Sequence, residues 1–111
     1  TTRLVAESMN LPEDSYMTTF QSRFGPAEWL QPYTDKTIES LAKEGTDDIH
    51  VISPAFSSDC LETIEELNEE NREIFMENGG KKFGYIPCLN DRDDHILLLT
   101  SLLENELHGW V

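Results

Sequence analysis

The chain has 111 residues, and its acidic residues outnumber the basic ones 22 to 8 for a formal charge of −14. That length suits one domain with one modest core. The charge repels nucleic acid phosphates and anionic lipid headgroups, so both are poor partners, which leaves plain solvation or the handling of cations.

Two cysteines, Cys60 and Cys88, lack C-x-x-C spacing and cannot alone hold a four-thiolate zinc site or an iron–sulfur cluster. Free thiols in a reducing cytoplasm are expected. The opening TTRLVAES lacks the apolar region of a signal peptide, and the longest apolar run, residues 96–99, is far too short to span a bilayer. A start at Thr1 without an initiator methionine suggests that upstream sequence has been removed.

In chain order, residues 1–9 read as the end of a helix with Leu4, Val5 and Ser8 on one face. Pro12 and its polar neighbours make a turn of residues 10–14. Residues 16–21, YMTTFQ, are rich in β-branched and aromatic types and read as a strand. A long loop, 22–33, follows, with Gly25, Pro26 and Pro32. Thr34 is the expected N-cap of the next helix, Asp35 suits its first turn, Gly45 its C′ position, and Ile38, Leu41 and Ala42 form its apolar stripe. Residues 48–53, DIHVIS, read as a strand of the kind buried in parallel sheets. A long helix over 60–78 ends at Gly79-Gly80, with Leu61, Ile64, Leu67, Ile74 and Phe75 as its core face. Residues 82–86 are a third strand, and 94–107 a last helix carrying Ile96, Leu99, Leu102 and Leu103. Strands alternating with helices predict an α/β fold with βαβ units and a parallel sheet, cut short on its N-terminal side and with an exposed edge where copies could pair.

In open α/β sheets, ligands bind beyond the carboxyl ends of the strands. Three loops are expected there: one over 21–33 with Gln21, Ser22, Arg23 and Trp29; one over 54–59 leading into Asp59, Cys60 and Glu62; and one over 87–92 with Asn90. Glu62, Glu66 and Glu70 recur at i, i+4 and i+8, which stacks three carboxylates on one stripe. Such a stripe could bind a hard divalent cation or relay protons. Periodicity alone favours a solvated acidic face with Glu65, Glu69 and Glu73, and Asp59-x-x-Glu62 resembles a capping box. Trp29 could stack on a flat ligand or plug the core; Arg23 could clamp an anion or lie on the surface. His50, expected to be half-buried in its strand, His95 and His108 have no companion at metal-ligand spacing. Cys60 at a helix start has no partner base nearby to make it a nucleophile.

Two stretches carry a resemblance beyond this point. FQSRFGPAEWLQPYTDKTIESLAKEG, residues 20–45, and PAFSSDCLETIEELNEENREIF, residues 54–75, are similar to ferrochelatase segments, and GGKKFGYIPCLNDRDDHI, residues 79–96, resembles bacterial cytoplasmic members of that family. The resemblance implies a three-layer, Rossmann-like (chelatase-type) domain, with residues 1–111 as the C-terminal half of a two-domain enzyme. The implied reaction is insertion of Fe²⁺ into protoporphyrin IX to form protohaem, with this part alone inactive. It implies that Glu62 is a catalytic acid that binds metal or takes pyrrole protons, and that Glu66 and Glu70 continue a metal or proton route along a helix often distorted to π geometry. Ser22, Arg23 and Trp29 would line the porphyrin cleft, and a second essential histidine would precede Thr1. Fe²⁺ is a substrate; no permanent cofactor and no iron–sulfur cluster are expected. Many family members have histidine where this chain has Cys60, so no histidine role carries over there. The alternatives are another tetrapyrrole chelatase, such as a cobalt-inserting relative, and a non-enzymatic acidic α/β binding module.

Overall fold

The computed structural model describes residues 1–110. Helix α1 (Thr2–Ser8) leads through a short 3₁₀ turn (Glu13–Ser15) and a long irregular stretch to α2 (Thr34–Lys43). Strand β1 (Asp48–Ile52), a π-helical segment (Glu62–Glu70) running directly into α3 (Asn71–Glu77), and strand β2 (Lys82–Ile86) form a βαβ unit; α4 (Asp93–Glu106) follows. The strands pair in parallel, from Asp48 opposite Lys82 to Ile52 opposite Ile86, as the alternation of strands and helices requires.

Helix α2 starts one residue earlier than its sequence suggests. Tyr33 is the N-cap, and Thr34, the first helical residue, turns its buried hydroxyl to Thr19 Oγ1 at 2.8 Å. Its end is a Schellman motif: Gly45, at φ +97°, bonds back to Ala42 O and Thr46 to Leu41 O. Glycine tolerates that left-handed geometry without a Cβ penalty. Helices α2 and α3 pack together, and α3 and the π segment lie on β2. The core is Ile38, Ala42, Phe75 and Phe83, with Ile49, Val51, Ile74 and Tyr85 against it. The Phe75 and Phe83 rings meet at a tilt with centroids 6.1 Å apart. Gly80 lets this happen, because a Cβ there would fall within 2.3 Å of the Phe75 ring.

Among the described residues one face of the sheet is covered by helices; Ile52, Ile86 and His50 on the other are exposed. β1 is therefore not buried on both faces, and His50 is a surface residue rather than a half-buried one. Residues 16–21, the first of the three expected strands, do not form one. A strand exists only where a ladder supports it, and here the segment makes one bridge, Phe20 with Tyr33. Ile96, Leu99, Leu102 and Leu103 are not core either: α4 is anchored by buried His95 in its first turn, and residues 96–110 are exposed. Leu4 and Val5 on α1 are likewise exposed. Periodicity identifies an apolar face but not what covers it.

The long helix departs from a 3.6-residue period. Its buried residues are Thr63, Leu67, Asn71 and Phe75, each four after the last, while Leu61 is 70% and Ile64 47% exposed. A π turn closes on i→i+5 bonds and takes more than four residues, so positions four apart stay on one face instead of drifting around it. The same geometry keeps Glu62, Glu66 and Glu70 in line on a neighbouring face.

Candidate functional site

Beyond the carboxyl ends of β1 and β2, three stretches converge: the loop from Gln21, residues 53–61, and residues 87–92. The second and third of these stretches meet at Asp59. Its Oδ1 accepts from Thr63 Oγ1 (2.9 Å) and Tyr85 OH (2.7 Å), and its Oδ2 from Asn90 Nδ2 (2.9 Å) and the Cys88 amide (3.2 Å). The Asp59 amide in turn donates to Asn90 Oδ1 at 2.8 Å. These bonds, the Asn90 amide first and the Tyr85 hydroxyl next, hold the carboxyl well below the usual carboxylate range. Burial, reinforced by the bond to Asp59, pushes Tyr85 up to about 12. Asp59 is thus a fixed anion tying the end of β2 to the start of the π segment. His95 extends the hub to α4, with Nδ1 2.7 Å from Asn90 O and Nε2 3.0 Å from Ser57 Oγ.

Glu62 does not close a capping box. The side chain bonding back to the helix start is Thr63, whose hydroxyl accepts from the Cys60 amide at 2.9 Å. Glu62 instead faces the loop across the site, where Ser22 Oγ donates to its Oε1 at 2.5 Å. One turn on, Gln21 Nε2 donates to Glu66 Oε2 at 3.1 Å, and Asn71 Nδ2 donates to Gln21 Oε1 at 3.1 Å. Consecutive loop residues thereby hold consecutive carboxylates of the stripe. Both glutamates are half-buried, while Glu70 is exposed, as are Glu65, Glu69 and Glu73. The stripe therefore divides into two acids engaged by the loop and a third in solvent.

The other expected site residues lie on the same loop. Arg23 donates to Asp35 at 2.8 Å and stacks 4.4 Å from the centre of the Tyr33 ring, which fixes its guanidinium on the loop's flank. Trp29 donates from Nε1 to Phe24 O at 2.7 Å and is 41% exposed. It is no plug over the core: its ring is presented beside exposed Phe24 and Leu30. Among the described residues no three His, Cys, Asp or Glu side chains are grouped to hold a metal ion. Cys60 is exposed and Cys88 partly so, both free thiols.

The residues that sequence reasoning left without a role are Asp59 as a hub, Tyr85, and Asn71. The run S-D-C-L-E-T carries the first as plainly as it carries Glu62; Asn71 emerges only once the four-residue spacing of the buried face is recognised.

A family profile described as Ferrochelatase matches residues 1–107. Curated relatives named ferrochelatase include those of Marinobacter nauticus, 61% identical over 99% of this chain, Hydrogenovibrio crunogenus, 57% identical over 99%, and Rhizobium etli, 56% identical over 100%. This chain spans 30%, 29% and 32% of their respective lengths. No solved structure matches.

Proposed function

The chain belongs to the ferrochelatase family, and from that premise we propose that it is the metal-handling part of a protein that inserts Fe²⁺ into protoporphyrin IX, forming protohaem and releasing two protons. The observation that carries this reading is the pair Glu62 and Glu66, half-buried on one face of the π segment and each bonded to a neighbouring loop residue. A solvated face needs no such partners.

Insertion requires the metal to shed water and two pyrrole N–H protons to leave as the metal–nitrogen bonds form. With Oε1 held by Ser22, Glu62 keeps Oε2 free to take a proton or hold the entering cation, and it shares these tasks with a histidine from the remainder of the protein. Glu66 and Glu70 continue the stripe as a route for metal or protons toward solvent. Trp29 offers a flat face to the macrocycle, and Ser22 and Arg23 belong to the same wall. The present residues alone supply one side of such a cleft, so they are inactive without the rest. Cytoplasmic location fits a chain in which no helix among the described residues is long and apolar enough to cross a membrane. No permanent cofactor and no iron–sulfur cluster enter this account.

The test is anaerobic incubation of the complete protein with protoporphyrin IX and Fe²⁺, Zn²⁺ or Co²⁺, followed by absorbance. Insertion with Fe²⁺ preferred over Co²⁺ is the expected result. No insertion by a folded protein would remove the reading, and a Co²⁺ preference would shift it to another tetrapyrrole chelatase.

A further inference from the structure

Behind the carboxylate pair lies a second layer of hydrogen bonds. Asn71 opens α3 and is 1% exposed. It occupies a place on the buried face between Leu67 and Phe75, where an apolar side chain would continue the packing. A buried carboxamide is costly unless bonded, and its side chain donates to Gln21 Oε1. Gln21 then donates to Glu66 Oε2. The order of this relay is dictated by chemistry. A carboxylate only accepts, so Glu66 requires the NH₂ end of Gln21, and the carbonyl end must then meet a donor. Asn71 is that donor. A reversed Gln21 amide would set carbonyl against carboxylate and NH₂ against NH₂.

We infer that Asn71 is a positioning residue which, through Gln21, fixes the Glu66 carboxylate for the divalent cation. It touches neither metal nor porphyrin. Packing alone does not account for it, because its polar end is spent on a loop residue 50 positions away in the chain. The inference rests on the proposed role of Glu66 as a metal ligand and adds the residues that orient it, as outer partners orient ligands in metal sites generally.

The test uses the complete protein, as Gln21→Met, Asn71→Leu and the double variant. Zn²⁺ binding is measured by titration calorimetry, and insertion rates at varied metal and varied porphyrin. Each single variant is expected to bind Zn²⁺ about 10- to 100-fold more weakly, with KM for metal raised in step and KM for porphyrin unchanged. The double variant is expected to be no worse than the weaker single, because both changes break one relay. Gln21 lies on the loop outside the core, so Gln21→Met decides the matter if Asn71→Leu fails to fold. Wild-type Zn²⁺ affinity in Gln21→Met, or penalties that add in the double variant, would overturn the relay while leaving the proposed function standing. A wild-type protein that neither binds Zn²⁺ nor inserts metal would overturn the proposed function, and this inference with it.

Discussion

Asp59 and Glu62 stand one helical turn apart and are opposites. Asp59 accepts four hydrogen bonds, two on each oxygen, from four different residues. Glu62 accepts one, from Ser22, and Glu66 one, from Gln21. A carboxylate with all its lone pairs engaged holds a structure together and has nothing left to offer a ligand. One held by a single bond is oriented yet keeps an oxygen for a cation or a proton. Under the proposed function, the difference separates a structural acid from a working one within a single motif.

The comparison can be broken at either end. The largest effect is expected from Glu62→Gln in the complete protein: insertion falls at least about 100-fold, while thermal unfolding stays close to wild type. Asp59→Asn should do the reverse, lowering unfolding free energy by about 2–3 kcal/mol in denaturant titrations, since it weakens several charge-assisted bonds together. That loss carries a pH signature. The folded Asp59 carboxyl lies below its unfolded value of about 3.9. Its stabilisation is therefore complete above about pH 5 and disappears as pH falls through the unfolded value toward the folded one. The gap between wild type and Asp59→Asn should be constant at neutral pH and narrow in acid; a gap that widens in acid would contradict the hub.

Tyr85→Phe sharpens the same contrast on a smaller scale. It removes one of four donors, so unfolding free energy should drop by about 1 kcal/mol, with the metal dependence of insertion unchanged. Glu70→Gln should matter least. The residue is exposed, so stability should move by less than about 0.5 kcal/mol, and the insertion rate should change only at low metal concentration. A large loss at saturating metal would place Glu70 nearer the chemistry than its exposure indicates.

Much of this arrangement is legible in the residues themselves. Gly45 marks the end of α2, Gly79-Gly80 the end of the long helix, and the run KFGYI gives β2 with its ends correct, because these signals are local. The strand read over 16–21 fails since a ladder needs a neighbour that local pattern cannot supply. Leu61 and Ile64 mislead because a 3.6-residue period does not describe a π segment; the run Thr63, Leu67, Asn71, Phe75 is the pattern that fits. The stripe Glu62, Glu66, Glu70 is visible as spacing, but its division is not. That division comes from Gln21 and Ser22, 45 and 40 residues upstream of the acids they meet, and no periodicity links residues so far apart. Asp59 is readable as a helix cap but not as a hub, because its partners Tyr85, Cys88 and Asn90 arrive only with the return of β2.

The central claim is that Glu62 is the working acid of this motif. The direct measurement is metal insertion by the complete protein and its Glu62→Gln variant, followed by absorbance, with porphyrin binding read in parallel by fluorescence. The account predicts that the variant binds porphyrin as the wild type does and inserts no metal. Near-normal turnover in a folded Glu62→Gln protein would contradict it.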